Sequence, residues 1–118
     1  MLLFIALGCK NQMNAQNDTT SVISVEQFEQ EIQNDDIQLL DVRTSEEYAD
    51  GYIGNAINID ILQTDEFTSE IQKLDKSKPV YLYCRSGNRS QKASEILEEN
   101  GFETITDLKG GYNAWKKK

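Results

Sequence analysis

The sequence contains no histidine, and its only cysteines are Cys9 and Cys84. Without histidine, Cys–His and Ser–His–Asp catalysis are excluded, and so are the usual ligand sets for zinc. A disulfide between the two cysteines would need an oxidising compartment. We do not expect one, because Cys9 precedes the segment that we expect to fold.

Positive charge is also scarce. The chain has 12 Lys and Arg residues against 20 Asp and Glu, which gives a formal net charge of −8. Apart from the last three lysines no basic cluster is present, so we do not expect a nucleic-acid partner. We interpret these lysines as a solvated tail. The length of 118 residues indicates one domain that can bury a single core.

The N-terminal apolar run, Met1–Leu7, is far too short to span a bilayer, and Gly8 and Cys9 follow it. A small residue followed by cysteine at the end of an apolar run resembles the lipobox of bacterial lipoproteins, in which the cysteine carries the lipid. The next segment, KNQMNAQNDTTS, is polar and typical of a flexible tether. We therefore predict that residues 1–20 are a signal and a tether.

This interpretation predicts a lipid on Cys9 and a protein anchored in the cell envelope, on the periplasmic or another extracytoplasmic side. No Lys or Arg precedes the apolar run, so the positive region of a secretory signal is missing. Two alternatives remain open. One is an ordinary secretory leader, and the other is an apolar start without function, which would leave the protein in the cytoplasm.

Strand and helix patterns alternate through residues 21–118. Capping boxes at Ser24 with Gln27 and at Thr44 with Glu47 predict two helix starts. Apolar spacing predicts helices in DEFTSEIQKL and RSQKASEILEENG, and a last short helix follows the Gly110–Gly111 turn. Strands are predicted at Val22–Ile23 and in IQLLDV, AINI, PVYLYC and TITDL. This alternation predicts an α/β domain with a mainly parallel sheet and helices on both faces.

Cys84 ends the clearest strand, and the loop RSGNRS separates it from a helix. Ligands of parallel α/β sheets lie beyond the carboxyl ends of strands. The backbone N–H groups of this loop, the helix N-terminus and two arginines would together stabilise an anionic sulfur species. A buried packing cysteine is the alternative. The loop of arginine and glycine favours a reactive thiolate, since it would be an odd lining for an inert core side chain.

The segment CRSGNRS strongly resembles the active-site loop of the rhodanese-like single-domain sulfurtransferases. LLDVRTSEEYADGYIGNAINI is similar to the first signature of that family, and LKGGYNAW to its C-terminal signature. The resemblance covers about residues 21–117 and implies a three-layer α/β/α rhodanese-like domain over residues 21–118. The chain departs from the family at Gly51-Tyr52-Ile53, where Gly-His-Ile is common and the histidine is structural.

The resemblance implies that Cys84 takes the outer sulfur of thiosulfate or of a persulfide donor and holds it as a persulfide. Cyanide, a small thiol or a protein acceptor would then remove it. Arg85 and Arg89 would orient the anionic donor. The persulfide would be bound by the backbone amides of Arg85, Ser86, Gly87, Asn88, Arg89 and Ser90.

Other roles also follow from the resemblance. Asp41 and Arg43 would support the loop, and Asp41 is a candidate to hydrogen-bond into it. Tyr112 and Trp115 are expected to pack the last helix rather than touch substrate. Neither a metal nor an organic cofactor is implied. If the leader is real, Cys84 is the only free thiol, so an external acceptor must discharge the persulfide.

Two further functions stay open. One is a persulfide carrier or sulfur-binding module with little turnover. The other is a cysteine phosphatase or arsenate reductase, whose loop places five residues between the cysteine and the arginine. Here only four residues separate Cys84 from Arg89, so the pocket should be narrower. The spacing favours sulfur over phosphate.

Overall fold

The computed structural model describes residues 19–118, and the predicted leader with Cys9 lies outside the described residues. Five strands form a single sheet in the order β1-β5-β4-β2-β3, and all neighbouring pairs are parallel. They are β1 Thr20–Ile23, β2 Gln38–Asp41, β3 Ile57–Asn58, β4 Val80–Tyr83 and β5 Ile105–Leu108. The predicted α/β fold with a parallel sheet is therefore confirmed, with strand ends within a few residues of those expected.

Within residues 20–118, five α-helices cover the two faces of the sheet. They are α1 Val25–Glu31, α2 Ser45–Ala49, α3 Thr64–Glu70, α4 Arg89–Glu99 and α5 Gly111–Lys117, and a 3₁₀ turn, Ile71–Lys73, follows α3. On one face, α3 and α4 bury apolar side chains such as Phe67 and Leu97 against the sheet. On the other face, Phe28 of α1 is buried, and Tyr112 and Trp115 of α5 pack against the same cluster.

Local sequence explains where the first two helices begin. Thr44 and Glu47 form a complete capping box, in which each side chain bonds the backbone N–H of the other. At α1 the predicted box is only half formed. Ser24 accepts a hydrogen bond from the backbone N–H of Gln27, but the Gln27 side chain donates to Glu31 instead. A single capping bond is enough to satisfy one free N–H of that helix start.

The strand order brings Asp41, Cys84 and Asp107 to one edge of the sheet. Strand β4 lies between β2 and β5, with Asp41 opposite Tyr83 and Leu82 opposite Asp107. Cys84 follows β4 directly, so its sulfur lies between the carboxyl ends of two neighbouring strands. Within the described part of the chain, no helix has the length and apolar character needed to cross a bilayer.

Candidate active site

Cys84 lies at the floor of the 85–90 loop and is only 1% exposed. Its Sγ accepts a hydrogen bond from the backbone N–H of Gly87, with an N···S distance of 3.0 Å. On its other side the Sγ donates to Ser90 Oγ at 3.4 Å. Gly87 adopts a φ of +104°, which strains any residue with a side chain and turns its N–H toward the sulfur.

Helix α5 fixes the loop from outside. The backbone N–H of Tyr112 donates to the carbonyl of Cys84 at 2.8 Å, and that of Asn113 donates to the carbonyl of Arg85 at 2.9 Å. Gly111 makes this contact possible, because a Cβ there would lie 2.6 Å from the Cys84 carbonyl oxygen. From sequence the glycine pair was predicted only as a turn, and this docking role was missed.

Arg89, which begins α4, forms a bidentate ion pair with Glu47 of α2. Its Nη1 and Nη2 donate to the two carboxylate oxygens at 2.9 and 3.0 Å. The hydrogen bonds from Arg89, together with those from Thr44, lower the pKa of Glu47 to about 2, although partial burial opposes them. The charge of Arg89 is therefore matched by a carboxylate, whereas the family resemblance implied that it would orient an anionic donor.

Arg85 has a different environment. It is exposed, and within residues 19–118 no carboxylate forms an ion pair with it. Its side chain lines an open cleft of about 290 Å³. The other lining residues are Arg43, Glu47, Asp50, Tyr112, Asn113 and Lys116. Of the two predicted donor-binding arginines, Arg85 is the one whose charge is left available.

Asp41 and Arg43 form a buried pair behind the loop. The guanidinium of Arg43 binds both oxygens of Asp41, and Tyr83 donates its hydroxyl proton to Asp41 Oδ2 at 2.7 Å. Arg43 also donates to the carbonyl of Gly51 and lies 4.3 Å from the ring centroid of Tyr112. Among the described residues, the side chain of Asp41 bonds Arg43 and Tyr83, so the expected bond from Asp41 into the loop is absent. Asp41 supports the loop indirectly, because Arg43 contacts Tyr112 of α5, and α5 bonds the loop.

Asp107 is a site residue that sequence reasoning missed. It was interpreted only as part of the strand TITDL. In the structure it is 3% exposed, and its Oδ2 accepts a hydrogen bond from Ser90 Oγ at 3.0 Å. Burial raises the pKa of Asp107 to about 6, and the hydrogen bond from Ser90 together with the nearby backbone N–H of Leu108 offsets only part of this rise. The one signal in the sequence is an acidic residue inside an otherwise buried strand.

Tyr52 occupies the position at which histidine is common in the family that the sequence resembles. It is half exposed, and its ring stacks on Tyr48 with a centroid distance of 4.2 Å. The Tyr48 hydroxyl in turn donates to the carbonyl of Ala56 at 2.7 Å. Tyr52 thus takes a structural position on the loop after α2.

The family model described as "Rhodanese-like domain" matches residues 24–118, which is most of the chain. The chain belongs to the rhodanese-like domain family. This family is the one that the CRSGNRS loop and the two flanking signatures indicated. The match contains the five helices and four of the five strands of residues 20–118, since β1 ends just before the match begins.

Relatives and solved structures agree with this membership. The chain is similar to a thiosulfate sulfurtransferase of Coxiella burnetii, with 37% identity over 81 residues that cover 69% of this chain and 73% of that protein. It is also similar to a tRNA uridine(34) hydroxylase of Pelagibacter ubique, with 33% identity over 99 residues, 84% of this chain and 33% of that protein. A rhodanese-related protein of Thermoplasma volcanium has a similar crystal structure, with a TM-score of 0.70, 32% identity, and coverage of 81% of this chain and 90% of that one.

Proposed function

We propose that this rhodanese-like protein is a sulfurtransferase that moves a sulfane sulfur from thiosulfate or a persulfide donor to a thiol or cyanide. The observation that carries the proposal is the position of the Cys84 sulfur, 3.0 Å from the backbone nitrogen of Gly87 in a loop that leads into α4. Membership of the family and the similarity to a thiosulfate sulfurtransferase also support it.

In the loading step, the Cys84 thiolate attacks the outer sulfur of thiosulfate. A new S–S bond forms to Cys84, the S–S bond of thiosulfate breaks, and its electron pair leaves with sulfite. The product is an anionic persulfide whose outer sulfur lies about 2 Å beyond Sγ. Because Cys84 is almost fully buried, this extension brings the reactive atom toward the opening of the loop.

Backbone N–H groups are the groups that stabilise the persulfide anion. Gly87 already donates to the Sγ atom. The first N–H groups of any α-helix lack acceptors within the helix, and they carry a partial positive charge. The N-cap residue of α4, Asn88, makes no side-chain capping bond, so it does not occupy these groups. Arg85 adds an unpaired positive charge that attracts the anionic donor.

In the discharge step, a thiolate or cyanide attacks the outer sulfur. The S–S bond to Cys84 breaks, the acceptor leaves with the sulfur, and Cys84 returns as a thiolate. Cys84 is the only cysteine of residues 19–118, so no second thiol of the described domain can resolve the persulfide. The acceptor that we propose is a separate molecule, which is a small thiol, a protein or cyanide.

The experiment is a mass measurement on the full chain carrying Cys9→Ser, so that Cys84 is its only thiol. Brief incubation with thiosulfate is expected to add one sulfur atom, ~32 Da, as a persulfide, and cyanide is expected to remove it as thiocyanate. The matched control is the same chain with Cys84→Ser as well. No mass gain in the Cys84 protein would overturn the proposal. A gain with thiocyanate turnover no faster than the uncatalysed reaction would identify a carrier rather than an enzyme.

We also propose that Cys9 carries a lipid that anchors the domain in the cell envelope. The support is the apolar run before Gly8 and Cys9 and the polar segment after them. Growth with a tagged fatty acid is expected to label the wild-type protein and not the Cys9→Ser variant. Equal labelling of both, or labelling of neither, would remove the anchor from the proposal and leave the sulfur chemistry untouched.

A further inference from the structure

A continuous line of hydrogen bonds joins the nucleophile to a buried carboxyl group. Cys84 Sγ donates to Ser90 Oγ at 3.4 Å, and Ser90 Oγ donates to Asp107 Oδ2 at 3.0 Å. All three side chains are buried. The three residues come from the end of β4, the first turn of α4 and strand β5, so only the folded sheet brings them together.

The surroundings of Asp107 give its charge little compensation. Its sheet neighbours, Val22 on β1 and Leu82 on β4, are apolar. A cavity of about 190 Å³ lies beside it, and Asp107 and Lys109 are the only ionisable residues that line this cavity. Within residues 19–118 neither an arginine nor a lysine forms an ion pair with Asp107. Lys109 is thus the ionisable group beside Asp107, and Arg89, which interacts electrostatically with Cys84, is the charged group at the other end of the line.

One oxygen of the carboxyl group is unsatisfied. Asp107 Oδ1 is fully buried, and no residue of the 19–118 region gives it a hydrogen bond of acceptable distance and angle. A buried carboxylate with only one good donor is costly, whereas the protonated form needs less compensation. This environment favours a carboxyl group that can hold a proton near neutral pH, in agreement with the raised pKa of Asp107.

We propose that Cys84 and Asp107 share one proton through the hydroxyl group of Ser90. In one form the thiol is protonated and donates to Ser90 Oγ, while Asp107 is ionised and accepts from Ser90. In the other form the thiol proton has passed to Ser90 Oγ while the Ser90 proton has passed to Asp107 Oδ2. Ser90 remains a neutral hydroxyl, and the three side chains together carry one negative charge in both forms.

In this exchange Asp107 takes up the proton without touching the substrate. Asp107 is therefore a positioning residue that acts through Ser90. The thiolate forms without a second anion beside it, because Asp107 is neutral at that moment. After sulfur transfer, the released Cys84 thiolate recovers the proton along the same line. The role of this proton exchange in turnover rests on the proposed function, but the existence of the shared proton does not.

The test is the pH profile of Cys84 alkylation by iodoacetamide, in the full chain carrying Cys9→Ser. Two groups that share a proton titrate in two macroscopic steps. The wild-type rate is therefore expected to rise in a first step, stay level, and rise again in a second step at higher pH. Asp107→Asn keeps the shape of the side chain but cannot hold the proton. It is expected to give a single step, with the rate falling about tenfold per pH unit below it.

Two serine variants make the test specific. Ser90→Ala removes the connecting hydroxyl, so we expect the low-pH step to disappear as in Asp107→Asn. Ser94→Ala is the matched control. Ser94 is a buried serine one turn further along α4, and within the described residues its hydroxyl makes no hydrogen bond. That variant is expected to keep both steps. Thiolate absorbance near 240 nm, followed over the same pH range, gives a readout that needs no added reagent.

Each outcome has a defined meaning. A single step in the wild-type chain, or a low-pH step that persists in Asp107→Asn, overturns the shared proton. Loss of that step in Ser94→Ala would show that any change in α4 removes it, which also overturns the assignment. Two steps in the wild type together with no sulfur transfer would overturn the proposed function and leave the shared proton in place.

Discussion

Arg89 and Glu47 bind each other through two parallel hydrogen bonds of 2.9 and 3.0 Å. Arg85, four residues earlier, is exposed and has no such partner among residues 19–118. The two arginines of the loop therefore have separate tasks. Arg89 ties the start of α4 to α2, and Arg85 presents free charge to solvent beside the cleft.

Replacement of Arg85 should weaken donor binding. An exposed charge acting over a few ångströms is worth about 1 kcal/mol, so Arg85→Ala is expected to raise the KM for thiosulfate roughly fivefold at low salt. The difference should shrink as ionic strength rises, because salt screens exposed charges. Steady-state thiocyanate formation at low and at high salt measures it. A KM that is unchanged by the substitution would show that another group binds the anionic donor.

Replacement of Arg89 should act on the fold of the loop. Arg89→Ala breaks a bidentate, partly buried pair and is expected to lower the free energy of unfolding by about 1 kcal/mol. Urea denaturation measures the loss. Arg89→Lys is the matched variant, since lysine keeps the positive charge but cannot form the two parallel hydrogen bonds to Glu47. Recovery of full stability by lysine would show that charge alone, and not the paired geometry, holds the loop.

The stability from the Glu47 pair should depend on pH. The pKa of Glu47 is about 2 in the folded chain, below its ordinary value of 4.5. A lowered carboxyl pKa stabilises the fold above 4.5, and this contribution is lost as the pH falls from 4.5 toward 2. We therefore expect Glu47→Gln to be less stable than wild type near neutral pH and equal to it near pH 2. Urea denaturation of both chains across this range is the measurement, and a constant difference at every pH would contradict the pairing.

Tyr83→Phe should be clearly destabilising. Its buried hydroxyl donates to Asp41 and accepts from the backbone N–H of Ile53 at 3.0 Å. Removal leaves a buried N–H without a partner, which costs about 1–3 kcal/mol. Tyr81→Phe is the control, because the Tyr81 hydroxyl bonds the partly exposed Glu31, which water can solvate. Equal losses in the two variants by urea denaturation would contradict the importance of the network around Asp41.

Gly111→Ala should disturb the active loop more than the fold. Its φ of +61° disfavours a side chain, and the new Cβ would lie 2.6 Å from the Cys84 carbonyl oxygen. Gly101→Ala shares the first problem, with a φ of +90°, but its nearest neighbour is a lysine side chain at 3.8 Å. Both variants should lose about 1 kcal/mol for the backbone strain. Only Gly111→Ala should also lose at least roughly tenfold in the rate of sulfur transfer, which corresponds to about 1.4 kcal/mol.

Sequence patterns predicted the fold because its signals are local. Apolar runs such as PVYLYC indicate buried strands, and Thr44 with Glu47 marks a helix start without reference to the rest of the chain. The position of Cys84 at a strand end followed in the same way. A parallel sheet then places that end at the edge where ligands bind.

The pairings across the sheet could not be predicted in this manner. Glu47 and Arg89 lie far apart in sequence, as do Ser90 and Asp107, and they meet only because β2 and β5 flank β4. Apolar periodicity carries no information on which strand lies next to which. The docking of Gly111 depends on the close approach of two backbones, and the glycine pair alone is equally typical of an ordinary turn.

The bonds from Tyr112 and Asn113 to the carbonyls of Cys84 and Arg85 couple the C-terminal helix mechanically to the cysteine loop. Helix α5 contributes no strand to the sheet. A bound partner or a C-terminal fusion that pulled α5 away would therefore remove both donors from the loop without breaking any strand pairing. The position of α5 thus sets the shape of the loop that holds the sulfur.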